Sequence, residues 1–538
     1  MTVDPDLITS LVLKEFDKLP AKRKPVVRDN GLREWVPLSG IVAEGENGKL
    51  TCLALATGMK CLPSSKLPQA QGNVLHDWHA EILAIRSFNC FVLDECRAVA
   101  SGSKSSSEFI RRRNRAEISA ACKSSEAYDD GGNWHGQPFT WREDVLLHMY
   151  CSEAPCGDAS MELTMASQAD ATPWAIPAIS PEESILLPSS VTPNLASLGT
   201  DTHLPGRAYF SQLGIVRRKP SRGDAPPTLS KSCSDKLSLH QCTSLLSSPT
   251  SLLMSPEHAY ISTLILPKSQ YSASGCRRAF SDGQSQDEHE KENSQQQARM
   301  ACLATQNNDR AQAGGYSFRP FAVKTTDLEF SFSRRSVVII PPTPLSSPIT
   351  DTEANININI TIDTPLAFPK IKTTPSNLSV ALTASNRQET TLNGVLQGRK
   401  ASEAHVLGAS FASRRKIWGL AVEVASLLPS SVNNDNSEDE NTRRIQRALG
   451  VPPSSRVMMR IPTTTETKPV GAAQSPLETE TEAEKEAEVE IEIEPETRIY
   501  ADLKNTPLLE PRRRAKQIAR SVALKGWVRN VGDDDFVL

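Results

Sequence analysis

Apolar, periodic segments of this chain alternate with long stretches that are rich in Ser, Thr, Pro and Gln. Such stretches bury too little apolar surface to offset the entropy that is lost on ordering, so they cannot form a core of their own. Aromatic residues make up only 5% of the 538 residues, which argues against several independent cores. The alternation predicts one core that is assembled from separated segments, with disordered insertions between them.

The apolar segments contain both helical and strand patterns. "DLITSLVLKEF" has helical spacing, and "HAEILAIRSFNCFVLDEC" has the length and pattern of a buried helix. "PLSGIVAEG" and "LTCLALATGMKCL" indicate two strands joined by the turn "GENGK", and "DVLLHMYCSEAPC" indicates another strand. "SFASRRKIWGLAVEVASLL" is a further helix, and the segment that starts at "RIYADLK" predicts a basic helix and a short terminal strand. This mixture predicts the α/β class.

We expect one discontinuous domain that spans 5–538. Its ordered parts are predicted at approximately 5–100, 140–165, 205–270, 375–427 and 497–538. Between them we expect a disordered insertion at 167–204, a low-complexity insertion at 270–375 and an acidic linker at 428–496.

The net charge of −3 combines one acidic tract with a remainder of the chain that is basic. Ten Glu and one Lys lie between Glu478 and Glu496, so the rest of the chain carries a net positive charge. This balance is compatible with a polyanionic partner without requiring one.

The eleven cysteines are odd in number and lack the spacing of a small disulfide scaffold. No apolar run near Met1 resembles a signal peptide, and none is long enough to span a bilayer. We therefore expect an intracellular protein with reduced thiols, in the cytoplasm, the nucleus or both, that is not secreted. In such compartments paired cysteines more often serve a metal or catalysis than a disulfide.

Three short elements carry residues that can bind a metal. His79 and Glu81 stand at the head of the predicted buried helix, preceded by Asp77. Cys156 lies where a strand gives way to a helix, and Cys233 enters another apolar run. Each element alone is typical of a helix cap or of a small buried side chain, so only their combination indicates a site.

The combination has the chemistry of a catalytic zinc site. One imidazole and two thiolates neutralise Zn²⁺ and leave a fourth position for water. A helix N-terminus favours the thiolate of Cys156. Ala159, and not a second cysteine, stands three residues after Cys156, so this interpretation assigns the third ligand to Cys233. Glu81, two residues from His79, is placed to transfer protons without being a ligand.

The motifs "DWHAEILAIRSF", "PCGDAS", "VRRKP", "LSKSCSDK" and "GWVRN" occur in this order. With them the chain resembles the adenosine deaminases that act on RNA, and within that family the eukaryotic tRNA-specific branch, over roughly half of its length. The resemblance implies a cytidine-deaminase-like mixed sheet flanked by helices, with the editase domain over 5–538. It also implies zinc-dependent hydrolysis of adenosine to inosine in tRNA, at the adenosine just 3′ of the anticodon of alanine tRNA.

The resemblance further implies a site with two cofactors. Zinc would be bound by His79, Cys156 and Cys233, with Glu81 as the proton shuttle. A buried inositol hexakisphosphate, needed for folding, would be lined by Arg86, Lys236, Arg414, Tyr500, Lys504, Lys516 and Trp527. Asp77 and Lys219 would link that cofactor to the zinc side, and Lys60 would approach a phosphate of the substrate.

Three positions depart from the family pattern. Ile85 stands where the family often has Arg, and Leu239 and His240 stand where it tends to have Arg and an aromatic residue. We therefore expect the polyphosphate shell to be thinner, or to be completed by other residues.

Two alternatives stay open: a deaminase of another RNA or of cytidine, and a non-catalytic RNA-binding protein with a structural zinc. Structural zinc normally has four protein ligands, whereas three positions match here and Glu81 is intact, which favours the enzyme. We expect no double-stranded RNA-binding domain before the deaminase region, which favours tRNA as the partner, through its anticodon loop. We expect neither a membrane nor DNA as a partner, and a monomeric protein.

Overall fold

The structure, a computed structural model, describes residues 3–123, 133–168, 170, 172, 210–219, 225–283, 298–306, 313–339, 372–400, 405–429, 437–453 and 498–538. Within them the strands are β1 (Arg33–Trp35), β2 (Leu38–Glu44), β3 (Leu50–Thr57), β4 (Ile110–Arg112), β5 (Phe139–Trp141), β6 (Leu146–Cys151), β7 (Ile261–Pro267), β8 (Ala322–Thr326), β9 (Thr373–Pro375), β10 (Leu378–Thr383), β11 (Gln388–Leu392) and β12 (Val395–Leu396).

The α-helices of the same residues are α1 (Pro5–Asp17), α2 (Ala80–Ala100), α3 (Arg115–Lys123), α4 (Met161–Ala166), α5 (Cys233–Thr243), α6 (Ala273–Phe280), α7 (Ala301–Gln306), α8 (Ser336–Ile339), α9 (Arg414–Ser426), α10 (Ser437–Leu449), α11 (Tyr500–Asn505) and α12 (Glu510–Val522).

One mixed sheet organises these elements, in the order β12-β11-β10-β3-β2-β6-β7-β8. Pairing is antiparallel from β12 to β6 and parallel from β6 through β7 to β8. The parallel strand β7 is an almost continuous apolar run, as expected for a strand covered on both faces. Two small pairs, parallel β1–β9 and antiparallel β4–β5, lie outside this sheet.

Helices cover both faces of the sheet. Successive strand residues belong to opposite cores: Ile41 joins the core on the α2 side, whereas Val42 joins the core on the α1 side. Helix α1 contributes Ile8, Val12 and Phe16, all fully buried, to its side. Each large apolar side chain buried in this way contributes about 1.5–3 kcal/mol. The period of two in the strands and the helical spacing in α1 and α2 therefore account for the layered architecture.

Gly58 determines where α2 begins. Its carbonyl accepts the N–H of Ala80 at 2.9 Å, and its own N–H donates to the carbonyl of Pro37 at 3.3 Å. Gly58 has φ of +144°, and a Cβ atom there would lie 2.1 Å from the carbonyl oxygen of Trp78. Only glycine fits this position. The head of α2 is therefore held at the end of the sheet where β2 begins and β3 ends.

The C-terminal segment of the chain packs against the segment that contains α5. Helix α12 packs against α5, with Leu239, Ala519 and Leu524 in one buried cluster. The guanidinium of Arg512 donates to the carbonyls of Thr243 at 2.8 Å and of Leu246 at 2.5 Å. Residues more than 250 positions apart in the sequence thus form a single body.

The α/β class and the mixed sheet flanked by helices are confirmed. The predicted buried helix is α2, the predicted strand pair is β2–β3, and the strand before Cys156 is β6. The predicted helices near both ends of the chain correspond to α1, α9 and α12.

Some predicted boundaries are wrong. The insertion predicted at 270–375 contains α6 and β8, and β8 extends the sheet by pairing with β7. The linker predicted at 428–496 contains α10, whose Ile445 and Leu449 are fully buried. These three elements are flanked by polar sequence, so the average composition of each region did not reveal them. A predicted terminal strand is also missing from the described residues 531–538, where Phe536 instead stacks on Tyr500 with ring centroids 4.9 Å apart.

Other predictions fall on residues that the structure does not describe. They include nearly all of the insertion at 167–204, the strand pattern "NININITIDT" and the acidic tract between Glu478 and Glu496. In the described parts, no helix combines the length and the apolar character that crossing a bilayer requires. Every cysteine side chain that the structure describes is free of a disulfide.

Candidate active site

The head of α2 carries the first group of predicted residues. His79 immediately precedes the helix, and its Nδ1 lies 2.8 Å from Oδ1 of Asp77. Cys61 Sγ lies 3.7 Å from the same nitrogen. Glu81 stands in the first turn and is buried. This end of the sheet therefore encloses an imidazole, a thiol and two carboxyl groups.

Cys156 and Cys233 lie side by side, although 77 residues separate them. The N–H of Cys233 donates to Sγ of Cys156 at 3.3 Å, and the N–H of Ser234 donates to the carbonyl of Cys156 at 3.0 Å. Gly157 permits this approach because its φ is +110° and a Cβ atom there would lie 2.2 Å from Ser232 Oγ. The strand end after β6 and the start of α5 thus bring the two thiols together.

Electrostatic coupling joins these two groups of residues. Burial raises the pKa of Glu81 and nearby Cys156 raises it further, whereas Lys219 and His79 lower it. Burial and Cys156 likewise raise the pKa of the Cys233 thiol, with a contribution from Glu81. A buried carboxyl group with a raised pKa is suited to exchange protons near neutral pH. The structure thus brings all four predicted residues into one electrostatic environment.

Asp77 connects this environment to two lysines. Nζ of Lys219 donates to Oδ2 of Asp77 at 2.9 Å and to Sγ of Cys233 at 3.0 Å. Nζ of Lys236 also donates to Oδ2 of Asp77, and to Oγ of Ser230 at 2.7 Å. Burial alone would raise the pKa of Asp77, but Lys219 and Lys236 hold it well below its ordinary value. Asp77 is therefore a buried anion that is shared by two cations.

The metal-ligand geometry differs from the sequence prediction, because the group of closely spaced ligand atoms among the described residues contains neither Cys156 nor Cys233. Among the described residues, Cys61, Asp77 and His79 offer ligand atoms that all lie within 4.8 Å of one another. His79 belongs to both this group and the predicted set, whereas Cys61 was not predicted. The reason is the orientation of the imidazole, whose Nδ1 faces Asp77 and Cys61.

A basic cavity of about 310 Å³ lies on the other side of Asp77. Six of the seven residues predicted to line the cofactor line this cavity, namely Arg86, Lys236, Arg414, Lys504, Lys516 and Trp527, together with the predicted linking residue Asp77. Unpredicted residues complete the basic lining: His76, Lys231, Arg512, Arg513, Arg520 and Arg529. Asp77 is the one carboxylate in this lining. The described wall of the cavity is therefore strongly positive.

Mutual repulsion shows in the pKa values of these cations. Burial and the neighbouring Arg512 and Arg520 hold the pKa of Lys516 well below its ordinary value. Burial, followed by Lys236 and Arg520, lowers the pKa of Lys231 to about 7. The Nε atoms of Arg512 and Arg520 are buried and have no hydrogen-bond partner. Such a cavity fits a compact polyanion, which would supply the missing acceptors.

Among the predicted residues, the rings of Tyr500 and Trp527 lie near cations of the cavity, whereas Lys60 lies elsewhere. Tyr500 is outside the lining, but its ring lies 5.8 Å from the guanidinium of Arg414. Trp527 lies between two cations, with Lys231 at 5.6 Å and Arg520 at 5.1 Å from its ring centroid. Lys60 is not in the cavity.

Lys60 belongs to the mouth of the candidate active site. Its carbonyl accepts the N–H of Trp78 at 3.0 Å, one residue before His79, and its Nζ donates to the side-chain oxygen of Asn377. The lysine therefore lies beside the head of α2.

The departures from the family pattern have different surroundings. Ile85 and Leu239 are buried in apolar clusters and contribute no polar group. Nδ1 of His240 donates to the carbonyl of Ser244 at 2.6 Å, and burial together with Arg512 and Lys516 lowers the pKa of His240 to about 4. Helix α12 supplies the cations that these three positions lack.

Helix α12 carries a sequence signal that is more specific than its general basicity. Arg512, Lys516 and Arg520 stand four residues apart, so they share one face of a helix. That spacing identifies a basic stripe, although not the cavity that it faces. No comparable signal marked Cys61, whose proximity to His79 depends on the bridge between Cys61 and Asp77.

Comparison with known proteins agrees with the resemblance seen in the motifs. Residues 54–324 match the adenosine-deaminase (editase) domain family. The chain is 35% identical over 331 residues to tRNA-specific adenosine deaminase 1 of Schizosaccharomyces pombe, covering 61% of this chain and 70% of that protein.

Two more distant relatives carry the same name. The protein of Saccharomyces cerevisiae is 35% identical over 242 residues, covering 44% of this chain and 52% of the relative. The protein of Drosophila melanogaster is 29% identical over 233 residues, covering 43% of this chain and 47% of the relative. The chain thus aligns with about half the length of these two relatives.

Replacing Asp77 by Asn tests the buried charge link. Lys219 and Lys236 would lose their shared counter-charge inside the protein, so we expect the free energy of unfolding to fall by about 3–5 kcal/mol. Thermal and urea denaturation measure this loss. Asp144→Asn is the matched control, because Asp144 pairs with Arg142 at the surface, and it should change stability by less than about 0.5 kcal/mol. If Asp77→Asn were as stable as the wild-type protein, Asp77 would not be the buried counter-charge of Lys219 and Lys236.

Proposed function

The chain belongs to the adenosine-deaminase (editase) domain family, and on this premise we propose that it converts adenosine to inosine in tRNA by hydrolysis. One observation carries the proposal. The buried Glu81 shares its environment with His79, Cys156 and Cys233, which originate from three separate segments. A zinc deaminase needs this pairing of metal ligands with a carboxyl group that is not a ligand.

We further propose that the target is the adenosine just 3′ of the anticodon of alanine tRNA. The names of the relatives support tRNA as the substrate class. A base in the anticodon loop is already partly unstacked, so little energy is needed to move it into an enclosed site. Lys60, at the mouth of the site, would contact a phosphate beside that base.

His79, Cys156 and Cys233 are the proposed zinc ligands. An imidazole and two adjacent thiols are suitable donors for zinc, and together they neutralise its charge. Lys219, at 3.0 Å from Cys233 Sγ, favours the thiolate form of that cysteine. When bound, zinc would supply a water nucleophile that is activated near neutral pH.

Glu81 is the proposed proton carrier. In the hydrolysis, water adds to the ring carbon that bears the amino group, and ammonia leaves. The carboxylate of Glu81 would take one proton from the water and deliver it to the adjacent ring nitrogen, and would then take the second proton from the added hydroxyl group and deliver it to the departing amino group. Burial keeps the pKa of Glu81 raised, so the group can both accept and release a proton near neutral pH.

Inositol hexakisphosphate is the proposed ligand of the basic cavity. Six phosphates would supply acceptors for the buried guanidinium nitrogens of Arg512 and Arg520 that have no partner. The cation-rich lining and its single carboxylate fit a compact polyanion of this kind. The contacts from Lys236 through Asp77 and Lys219 to Cys233 would then link it to the zinc ligands. An intracellular location, a monomeric state and the lack of a DNA partner stay predictions.

The reaction is tested by incubating the purified protein with total tRNA and locating inosine by sequencing, and by deamination assays on adenosine-containing and cytidine-containing anticodon stem-loops. We expect inosine 3′ of the anticodon of alanine tRNA.

Glu81→Gln removes the proton carrier while keeping the shape of the site, so we expect turnover to fall by at least about 100-fold. Glu95→Gln, on the same helix, is the control variant. Unimpaired turnover in Glu81→Gln would refute the role of Glu81.

The ligand set is tested by zinc content, measured by elemental analysis. Cys233→Ala should lose the metal, because two protein ligands hold zinc too weakly, while Cys242→Ala on the same helix should keep it. Cys61→Ala should also keep the metal. Loss of zinc in Cys61→Ala together with retention in Cys233→Ala would assign the metal to Cys61, Asp77 and His79 instead.

The polyphosphate is tested by releasing it from denatured protein and measuring inositol hexakisphosphate per chain. Lys516→Gln with Arg520→Gln should lower the bound amount and the thermal midpoint, because both changes remove cations from the cavity wall. Arg514→Gln, which is exposed on the same helix, should change neither quantity. A wild-type protein without bound inositol phosphate would overturn this part of the proposal.

A further inference from the structure

Strand β1 lies close to the mouth of the candidate active site. Trp35 ends this strand, two residues before Pro37, whose carbonyl accepts the N–H of Gly58 at 3.3 Å. Gly58 in turn accepts the N–H of Ala80 at 2.9 Å, next to His79. The backbone therefore places Trp35 near the loop that holds the head of α2.

Arg334 approaches the same place from another segment. Its backbone N–H donates to Oε1 of Glu153 at 3.1 Å, three residues before Cys156. Its guanidinium lies 5.9 Å from the ring centroid of Trp35. The partly exposed indole and this cation therefore connect β1 with the segment that leads to Cys156.

Positive charge accumulates along β1 and the segment that precedes it. Residues 22–35 contain five basic and two acidic residues. One of the acids, Glu34, pairs with Arg28 at 2.8 Å. Burial and the neighbouring Arg28 lower the pKa of Lys60, so cations crowd the mouth of the site.

Two cations at or near β1 form no side-chain ion pair among the described residues, although Arg334 interacts electrostatically with the carboxyl group of Glu153. Within those ranges, neither Arg33 nor Arg334 forms an ion pair through its side chain. Lys60 has an amide oxygen, from Asn377, as its side-chain partner. Most other exposed cations near β6 and α2, such as Lys49 and Arg142, are paired with acids.

We propose that Arg28, Arg33, Trp35 and Arg334 form a docking surface, the basic rim, for the single-stranded loop of the RNA substrate. The arginines would contact phosphates, and Trp35 would stack against an unpaired base. Positive grooves with aromatic side chains are the usual means of holding single-stranded RNA. This inference rests on the proposed function, because it takes RNA as the substrate.

The rim lies beside the reacting residues and does not belong to them. It therefore contributes to binding equally before and during the reaction, so its loss raises KM and leaves kcat nearly unchanged. Contacts to phosphates also make binding dependent on salt, because each one releases counterions. These two signatures separate a docking role from a role in folding or catalysis.

The experiment uses the full chain and an alanine tRNA transcript, with Kd from fluorescence anisotropy over a range of salt and with KM and kcat for inosine formation. Arg33→Glu with Arg334→Glu should raise KM and Kd by roughly 10- to 100-fold, and should make the salt slope shallower by about 1.4. Trp35→Ala should weaken binding by roughly 5- to 100-fold, and Trp35→Phe by less, because phenylalanine keeps an aromatic face.

Lys49→Glu with Arg142→Glu is the matched control. It makes the same change in charge at the opposite end of β3 and β6, and it should leave KM, Kd and the salt slope unchanged. An unchanged KM and Kd in Arg33→Glu with Arg334→Glu, with normal inosine formation, would overturn the rim and leave the proposed function intact. A wild-type protein that binds tRNA through the rim but forms no inosine would overturn the reaction and leave the rim intact. Failure to bind tRNA would overturn both.

Discussion

The buried ion pairs of Asp77 with Lys219 and Lys236 hold together the segments that form the candidate active site. A carboxylate and two ammonium groups are costly to bury separately, so they are stable inside the protein only in contact with one another. Asp77 precedes α2, Lys219 belongs to an irregular segment, and Lys236 lies in the first turn of α5. Forming these ion pairs therefore brings three distant segments together and orients His79 and Cys233 at the same time.

The basic cavity extends the same argument to a larger scale. Its wall gathers cations from α2, α5, α9, α11 and α12, and burial with mutual repulsion lowers the pKa values of Lys231, Lys504 and Lys516. Like charges at this density oppose closure of the C-terminal segment on the segment that contains α5. A polyanion that binds only the folded chain would reverse this repulsion and stabilise the closed form. On this view the proposed cofactor is part of the folding energetics, and its effect reaches the zinc ligands through Asp77.

The sheet provides the fixed frame for this chemistry. Gly58 and Gly157 both occupy positions where a Cβ atom would meet neighbouring atoms at little more than 2 Å, at 2.1 Å and 2.2 Å. The first lets the head of α2 meet the end of β3, and the second lets the strand end after β6 meet the start of α5. The reactive groups therefore lie where strand ends converge, close to the surface that carries the proposed basic rim. The proposed catalytic residues, the basic cavity and the proposed basic rim thus all lie near one helix terminus.

The sequence by itself determined the α/β class and the chemical identity of the groups in the site. Strand alternation, helical spacing and motifs such as "HAE", "PCGD" and "SCSDK" involve neighbouring residues, so a linear reading is enough to find them. Only the tertiary structure decided that β8 and α10 belong to the fold, that Cys61 approaches His79, and that one face of α12 lines the cavity. These features depend on contacts between residues far apart in the chain, and such contacts leave no periodic signal in the segments that make them.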